Sequence, residues 1–129
     1  MNFQMAKTET AEQGLVFQLA ADLFAVLATP MRLRILSALC HQEKSVSELL
    51  LEIETTQPNL SQHLAVLFNT GILAKRKEGI QVIYRVQSEQ AVALCRSVCT
   101  QIAIDLDGLV DPNAAPAAQT SSPRKAHTA

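Results

Sequence analysis

A run of uncharged hydrogen-bonding side chains extends from Thr56 to His63. A threonine followed closely by a proline is typical of the first turn of a helix, and a helix N-terminus favours nearby phosphate. Amide side chains make paired contacts with adenine edges, and hydroxyl and imidazole groups reach bases or phosphates. The run predicts either an ordinary solvated helix face or a DNA-contacting surface, whose candidate residues are Thr56, Gln57, Asn59, Ser61, Gln62 and His63.

Four basic side chains lie close together in the segment that follows: Lys75, Arg76, Lys77 and Arg85. Glu78 is the single acid among them, although the whole chain has 11 Lys and Arg residues against 12 Asp and Glu residues. Such a patch can neutralise phosphates without distinguishing sequences, whereas most charged runs are simply solvated. The polar run and the basic patch together favour DNA binding more strongly than either does alone.

The polar run must be positioned by helices, because apolar residues recur around it at helical spacing. Pro30 can begin a second helix, and Ser45 and Glu48 have the spacing of a capping box that opens a third. The fourth helix, which Thr55 or Thr56 can cap, contains the polar run and ends before Gly71. The apolar residues expected to face inwards from the first, second and fourth helices are Leu15, Leu19, Leu23 and Val26, then Leu33, Leu36 and Cys40, then Leu60, Leu64, Leu67 and Phe68.

The basic patch is predicted to lie on a β-hairpin. Residues 72–77 and 81–86 flank Glu78-Gly79, which together are a strand-turn-strand signal. A long last helix follows, with apolar residues and cysteines at helical spacing: Val92, Cys95, Cys99, Ile102 and Leu106. The predicted order of four helices, a small hairpin and a last helix is a mainly α fold with the layout of a winged helix-turn-helix.

The 129 residues suffice for one folded domain. We expect a flexible N-terminus over residues 1–11 and a DNA-binding and dimerisation domain over residues 12–110. Residues 111–129 contain three prolines, small residues and no large apolar side chain, which predicts a disordered tail.

Several classes of protein are excluded by composition and motifs. No apolar run approaches the roughly 20 residues of a membrane helix, and the polar N-terminus is not a signal peptide. Three cysteines without a secretory signal indicate the reducing cytoplasm rather than a disulfide framework. Without a glycine-rich phosphate loop or paired carboxylates, neither an enzyme nor a cofactor is expected.

Three stretches, TPMRLRILSAL, SVSELL and TTQPNLSQHLAVLFNTGILAKRKEGIQVIYRV, resemble the ArsR/SmtB family of bacterial winged-helix repressors. The resemblance covers roughly residues 15–107, and its most specific part is the run SQHLAVL…GIL…R…G…YR. It implies a homodimer held by its first and last helices, which represses a palindromic double-stranded operator until an inducer acts on the protein. The resemblance assigns Gln57, Asn59, Ser61, Gln62 and His63 to the recognition helix, and Arg76, Lys77 and Arg85 to the wing.

The sequence departs from the metal-sensing branches of that family. Ser45 and Ser47 occupy the positions where the arsenic-sensing branch has cysteines. The zinc-sensing branch has ligands at positions that correspond here to Ser88, Gln90, Gln101 and Ile104. Neither metal site of those branches can therefore form.

The remaining sensor candidates are Cys40, Cys95 and Cys99. The resemblance is closest to a branch that uses one cysteine in the second helix and one in the last as a switch, which forms a disulfide or polysulfide with oxidants and reactive sulfur. Three thiolates could instead bind arsenite or cadmium, and cysteine is also a common small core residue. A winged helix that binds only proteins is a further alternative, but it should lack both a polar recognition helix and a basic wing.

Overall fold

The structure is a computed structural model that describes the backbone of residues 3–110 and the side chains of residues 10–108. The expected tail, residues 111–129, lies outside the described residues. The elements are α1 (Phe3–Val26), α2 (Pro30–Leu39), β1 (Lys44–Ser45), α3 (Val46–Glu52), α4 (Gln57–Asn69), β2 (Leu73–Glu78), β3 (Gln81–Val86) and α5 (Glu89–Val110). The predicted winged helix-turn-helix order is confirmed, and β1 is an additional strand, too short to show an alternating pattern in the sequence.

Three helices begin at the residues that the sequence indicated. Thr29 caps α2, whose first residue is proline. Ser45 and Glu48 form the capping box of α3, each side chain bonding to the other's backbone N–H. The Thr56 hydroxyl caps α4 by accepting a hydrogen bond from the backbone N–H of Asn59. Because a cap satisfies an otherwise unpaired N–H group, these local contacts determine where each helix starts.

Helix α1 begins at Phe3, whereas the apolar pattern placed the start of the folded domain at residue 12. The intervening residues have no apolar stripe, so helical periodicity does not extend to them. They include alanine, methionine, glutamine, lysine and glutamate, whose helix propensity is high. Intrinsic propensity therefore accounts for the additional turns.

The sheet is antiparallel, with the strand order β1-β3-β2. Glu78 pairs with Gln81, so the hairpin loop is Gly79-Ile80 rather than the predicted Glu78-Gly79. Gly79 has a φ of 64° and Ile80 does not have a positive φ. A positive φ at the first of two loop residues is what a type II′ turn requires, and glycine adopts it without strain.

The core lies between α2, α3, α4 and the sheet. Its fully buried large side chains are Ile35, Leu36, Leu49, Leu60, Leu64, Leu67 and Leu73. The inward face predicted for α4 is confirmed at its three leucines, while Phe68 is half-buried against the same cluster. The core therefore fixes which side of α4 is exposed.

The first helix is only partly covered by its own chain. Leu27 is buried just beyond its end and Leu23 is half-buried, but Leu15 and Leu19 are exposed. The predicted stripe of α1 thus contributes to the core only at its C-terminal end.

Within the described residues no single helix is long and apolar enough to cross a membrane, and residues 10–26 with α2 meet the criteria only as a pair bent by 88°.

The last helix changes its surroundings along its length. The described residues up to Cys95 form one compact unit, to whose core α5 contributes Ala91 and Val92. From Arg96 onwards α5 belongs to a second unit, in which every residue as far as Gly108 is exposed. The predicted stripe of α5 is therefore buried within the chain only at its beginning.

Candidate nucleic-acid interface

Helix α4 has one buried and one exposed side. Leu60, Leu64 and Leu67 are each 0% exposed. Residues three and four apart share one side of a helix, so the burial of these leucines leaves the opposite side of the first two helical turns facing solvent. The exposed polar residues there, which we call the polar α4 surface, are Thr56, Gln57, Ser61 and Gln62.

Two further candidate residues, Asn59 and His63, are half-buried. The Asn59 side-chain amide donates a hydrogen bond of 2.9 Å to Thr55 Oγ1. One of its donor hydrogens is therefore used within the protein, and Asn59 has less to offer a DNA base than the exposed Gln57 has.

His63 is held by an arginine of another helix. Arg32 Nε donates a hydrogen bond to His63 Nδ1 at 3.2 Å, and Arg32 Nη1 donates to the carbonyl oxygen of Val26 at 2.8 Å. Arg32 lies on α2, and Val26 is the last residue of α1. One guanidinium therefore joins the end of α1 to a predicted DNA-contacting side chain of α4.

The basic residues of the wing lie on two different faces of the sheet. Side chains alternate between faces along a strand, so Lys75 and Lys77 share one face and Arg76 points to the other. Arg85 pairs with Ala74 in the ladder and therefore shares the face of Arg76. The patch that the sequence indicated is divided into a lysine face (Lys75 and Lys77) and an arginine face (Arg76 and Arg85).

Arg76 is held by two carboxylates. Its Nη1 and Nη2 atoms lie 2.6 and 2.7 Å from the two carboxylate oxygens of Glu43, and Nη2 lies 2.9 Å from Glu78 Oε2. Hydrogen bonds from Arg76 lower the pKa of Glu43 from its ordinary value of 4.5, and the bonds to Glu43 and Glu78 raise the pKa of Arg76. Arg76 was predicted as a phosphate contact, but its charge is already balanced by two acids.

The other basic residues of the wing have different surroundings. Lys75 Nζ lies 4.3 Å from the centre of the Phe68 ring, a cation–π contact that joins β2 to α4. Tyr84, opposite Lys75 in the ladder, is buried, and burial raises the pKa of its hydroxyl from 10.0. Lys77 and Arg85 are exposed and form no ion pair with any described residue. These two cations are the most accessible to phosphate.

The three cysteines occupy unlike environments. Cys40 is half-buried, and its thiol donates to the carbonyl oxygen of Ser37 at 3.1 Å. Cys95 is also half-buried, and both residues pack against the core of residues 1–95. Cys99 is exposed, so the interpretation of all three as core residues does not hold for it within a single chain. Among the described side chains, no group of three His, Cys, Asp or Glu residues could hold a metal ion.

Sequence reasoning missed Arg32 and Glu43. Arg32 is 31 residues from His63, and Glu43 is 33 residues from Arg76. Spacing rules relate residues within one helix or one hairpin, so neither contact leaves a periodic signal. Only the packing of α2 and β1 against their neighbours reveals these two residues.

The chain matches a known family over the elements just described. Residues 29–75 match the model described as bacterial regulatory protein, arsR family. The matched segment extends from the cap of α2 to the middle of β2 and includes all of α4.

Regulators from several bacteria are similar to the chain. Rv0081, a transcriptional regulator of Mycobacterium tuberculosis, is 35% identical over 94 residues, covering 70% of this chain and 82% of the relative. Its crystal structure gives a TM-score of 0.60, over 70% of this chain and 95% of that one. The transcriptional repressor BigR from Xylella fastidiosa is 31% identical with a TM-score of 0.64, over 74% and 95% of the two chains. The transcriptional activator HlyU of Vibrio cholerae is 36% identical over 94 residues, which are 73% of this chain and 81% of HlyU.

The ion-pair network of Arg76 predicts a pKa change. In Arg76→Ala the hydrogen bonds to Glu43 are lost, so the pKa of the Glu43 carboxyl should rise towards its ordinary value of 4.5, while the charge of Arg85 still acts to lower it. The pairing carboxylate has the lowered pKa, so the contact is complete at neutral pH and is lost only as the pH falls through that pKa. NMR titration of the side-chain carboxyl carbon measures the change.

Lys77→Ala is the matched control, since it removes a cation from the other face of the same strand. The pKa of Glu43 should stay lowered in that variant. A wild-type pKa at or above 4.5 would contradict the network.

Proposed function

The chain belongs to the arsR family of bacterial regulatory proteins, and we propose that it is a homodimeric DNA-binding repressor whose inducer acts on its cysteines. Like its relatives, it is a transcriptional regulator and not an enzyme. The proposed ligand is a palindromic double-stranded operator. Two recognition helices related by a two-fold axis would contact half-sites about one DNA turn, or a multiple of it, apart.

The observation that carries the proposal is the outward side of α4. Its polar α4 surface combines the exposed amides of Gln57 and Gln62 with the hydroxyl of Ser61. The buried leucines behind them hold the helix rigidly, as a recognition helix needs if its side chains are to meet base edges in the major groove. The N-terminus of α4 adds backbone N–H groups that favour a phosphate.

The wing supplies the proposed non-specific contacts. Lys77 and Arg85 can each neutralise a phosphate, because neither forms an ion pair with a described carboxylate, although the charge of Arg85 acts on Glu43 at longer range. Arg76 can do so only after leaving Glu43 and Glu78. We therefore assign phosphate binding to Lys77 and Arg85, and we assign Arg76 chiefly to holding the wing.

Two classes of substitution should separate recognition from electrostatic attraction. Gln57→Ala should cost on the order of 1–3 kcal/mol on DNA selected from a random pool by the wild-type protein, and it should relax base preference at one position. Lys77→Ala should weaken binding to all sequences similarly and reduce the slope of log K against log salt concentration by about one. Fluorescence anisotropy over a salt series measures both effects.

Arg76→Ala is the control with the same loss of charge in the same strand. It should change the salt slope by less than Lys77→Ala does, because its charge is already balanced by two carboxylates. If the wild-type protein selects no DNA sequence and its weak binding shows no salt slope, a protein-binding winged helix replaces the proposal.

The dimer proposal rests on apolar surface that each of two helices leaves uncovered. On α1, Val16, Phe17 and Phe24 are between 56% and 70% exposed. On α5, Val98, Ile102 and Leu106 recur four residues apart on one side and are between 51% and 56% exposed. Apolar side chains grouped at this density mark an interaction surface, and a second copy of the chain offers the same surface in return.

Leu106→Glu should place a carboxylate in the proposed dimer contact. We expect monomers that bind the selected DNA poorly, because each monomer meets only one half-site. Sedimentation velocity measures the oligomeric state. The control is Leu51→Glu on α3, where an isolated leucine is 88% exposed; that variant should remain dimeric, and a monomeric wild-type protein would contradict the proposal.

The inducer is proposed to act on thiols. Cys99 is exposed and Cys40 is half-buried, so at least one thiol is open to a small oxidant or polysulfide. One solved relative, 30% identical with a TM-score of 0.55, is described as reduced HlyU, so a redox state is specified for that protein. A soft-ion site gains no support from the described residues, since no three ligands are grouped.

Replacing all three cysteines with serine should keep DNA affinity in the reduced state and abolish release by polysulfide or peroxide. A coupling of about 3 kcal/mol between thiol state and DNA binding corresponds to roughly 150-fold weaker binding in the wild-type protein. Anisotropy before and after treatment measures release, and mass spectrometry identifies the modified thiols. If the triple variant is still released, the sensor is not a cysteine.

A further inference from the structure

Arg32 forms hydrogen bonds with three residues, through its backbone N–H and its guanidinium. It is half-buried on α2, where its backbone N–H donates to the Thr29 hydroxyl at 3.1 Å. Its side chain donates to the Val26 carbonyl oxygen at 2.8 Å and to His63 Nδ1 at 3.2 Å. Two different guanidinium nitrogens make these side-chain bonds, so one planar group is held by two acceptors at once.

The bond to His63 determines where the imidazole carries its hydrogen. A guanidinium has only donors, so Nδ1 of His63 must be the acceptor. A neutral imidazole has one N–H, which must then be on Nε2. Nε2 has no hydrogen-bond partner among the described residues, and its donor is available to a ligand.

We propose that Arg32 is a positioning residue that makes His63 an Nε2–H donor to DNA and fixes that donor relative to the end of α1. The inference rests on the proposed DNA binding. A donor at this position suits a guanine O6 or N7, an adenine N7, a thymine O4 or a phosphate oxygen, and it cannot accept a bond from an amino group of cytosine or adenine. The shared chemistry is a hydrogen-bond acceptor on the DNA.

His63→Gln and His63→Asn separate the two nitrogens of the imidazole. The amide nitrogen of glutamine reaches about as far as Nε2, whereas asparagine reaches only as far as Nδ1 and can still accept from Arg32. On DNA selected by the wild-type protein, we expect both variants to bind more weakly than wild type, and His63→Asn to bind about threefold more weakly than His63→Gln, which keeps a donor at the Nε2 position. Equal affinities of the two variants would overturn the assignment of Nε2 as the donor.

A double-mutant cycle tests whether Arg32 acts through His63. Arg32→Ala should weaken binding to the selected DNA about tenfold in the wild-type background and no more than about twofold in His63→Ala. A structural role alone would lower the melting temperature equally in both backgrounds and give additive losses of affinity, which would overturn the proposal. Arg34→Ala, which removes an exposed arginine from the same helix, controls for lost charge.

Two further experiments allow for a variant that does not fold and identify the hydrogen-bond acceptor on the DNA. If Arg32→Ala does not fold, Arg32→Lys replaces it, because lysine keeps the charge but has one nitrogen in place of the two that bond Val26 and His63. Its losses of DNA affinity should be non-additive in the same way. Selected DNA with single base substitutions locates a base acceptor as one position that loses discrimination in His63→Asn; a loss that is uniform over all sequences identifies a phosphate. If the wild-type protein selects no DNA, the proposed function itself fails, whereas selective binding with additive losses refutes only the role of Arg32.

Discussion

The burial of Leu60, Leu64 and Leu67 is the constraint on which the rest of the site depends. These side chains are four and three residues apart on α4, and each is 0% exposed in the core. A helix anchored by three adjacent leucines cannot rotate about its axis without exposing one of them or leaving a cavity, and removing a buried leucine typically costs about 2–5 kcal/mol. The buried leucines therefore fix the direction in which every polar side chain of α4 points.

Contacts around α4 extend this constraint to its neighbours. Phe68, at the end of the same inward side, lies beneath Lys75 of the wing, so α4 and β2 are joined by a cation–π contact. Arg32 joins α4 to the end of α1 through His63 and Val26. The end of α1 and α4 are therefore joined by a hydrogen-bonded side chain as well as by the core.

In the wing, the number of basic residues differs from the number whose charge is accessible to a ligand. Its four basic residues are equal in a count, yet Arg76 is balanced by Glu43 and Glu78 while Lys77 is exposed and pairs with no described acid. An exposed ion pair adds little to stability because water screens it. The ion pair does determine which protein cations are free to neutralise a phosphate and so to displace the counterions of DNA. For a DNA-binding surface, this effect is more important than the small gain in stability.

The sequence by itself determined the order of the five helices and the β2–β3 hairpin, the starts of α2 and α3, and the inward side of α4. These features follow from contacts within a few residues along the chain, such as the Ser45–Glu48 capping box, and from helical periodicity. The alternation of side chains along a strand places the basic wing residues on two faces once the hairpin register is known. Only the tertiary structure decided that Arg76 is paired with Glu43 and that Arg32 holds His63. Those contacts join residues more than 30 positions apart, and no local pattern encodes them because they exist only after the leucine core has brought separate elements together.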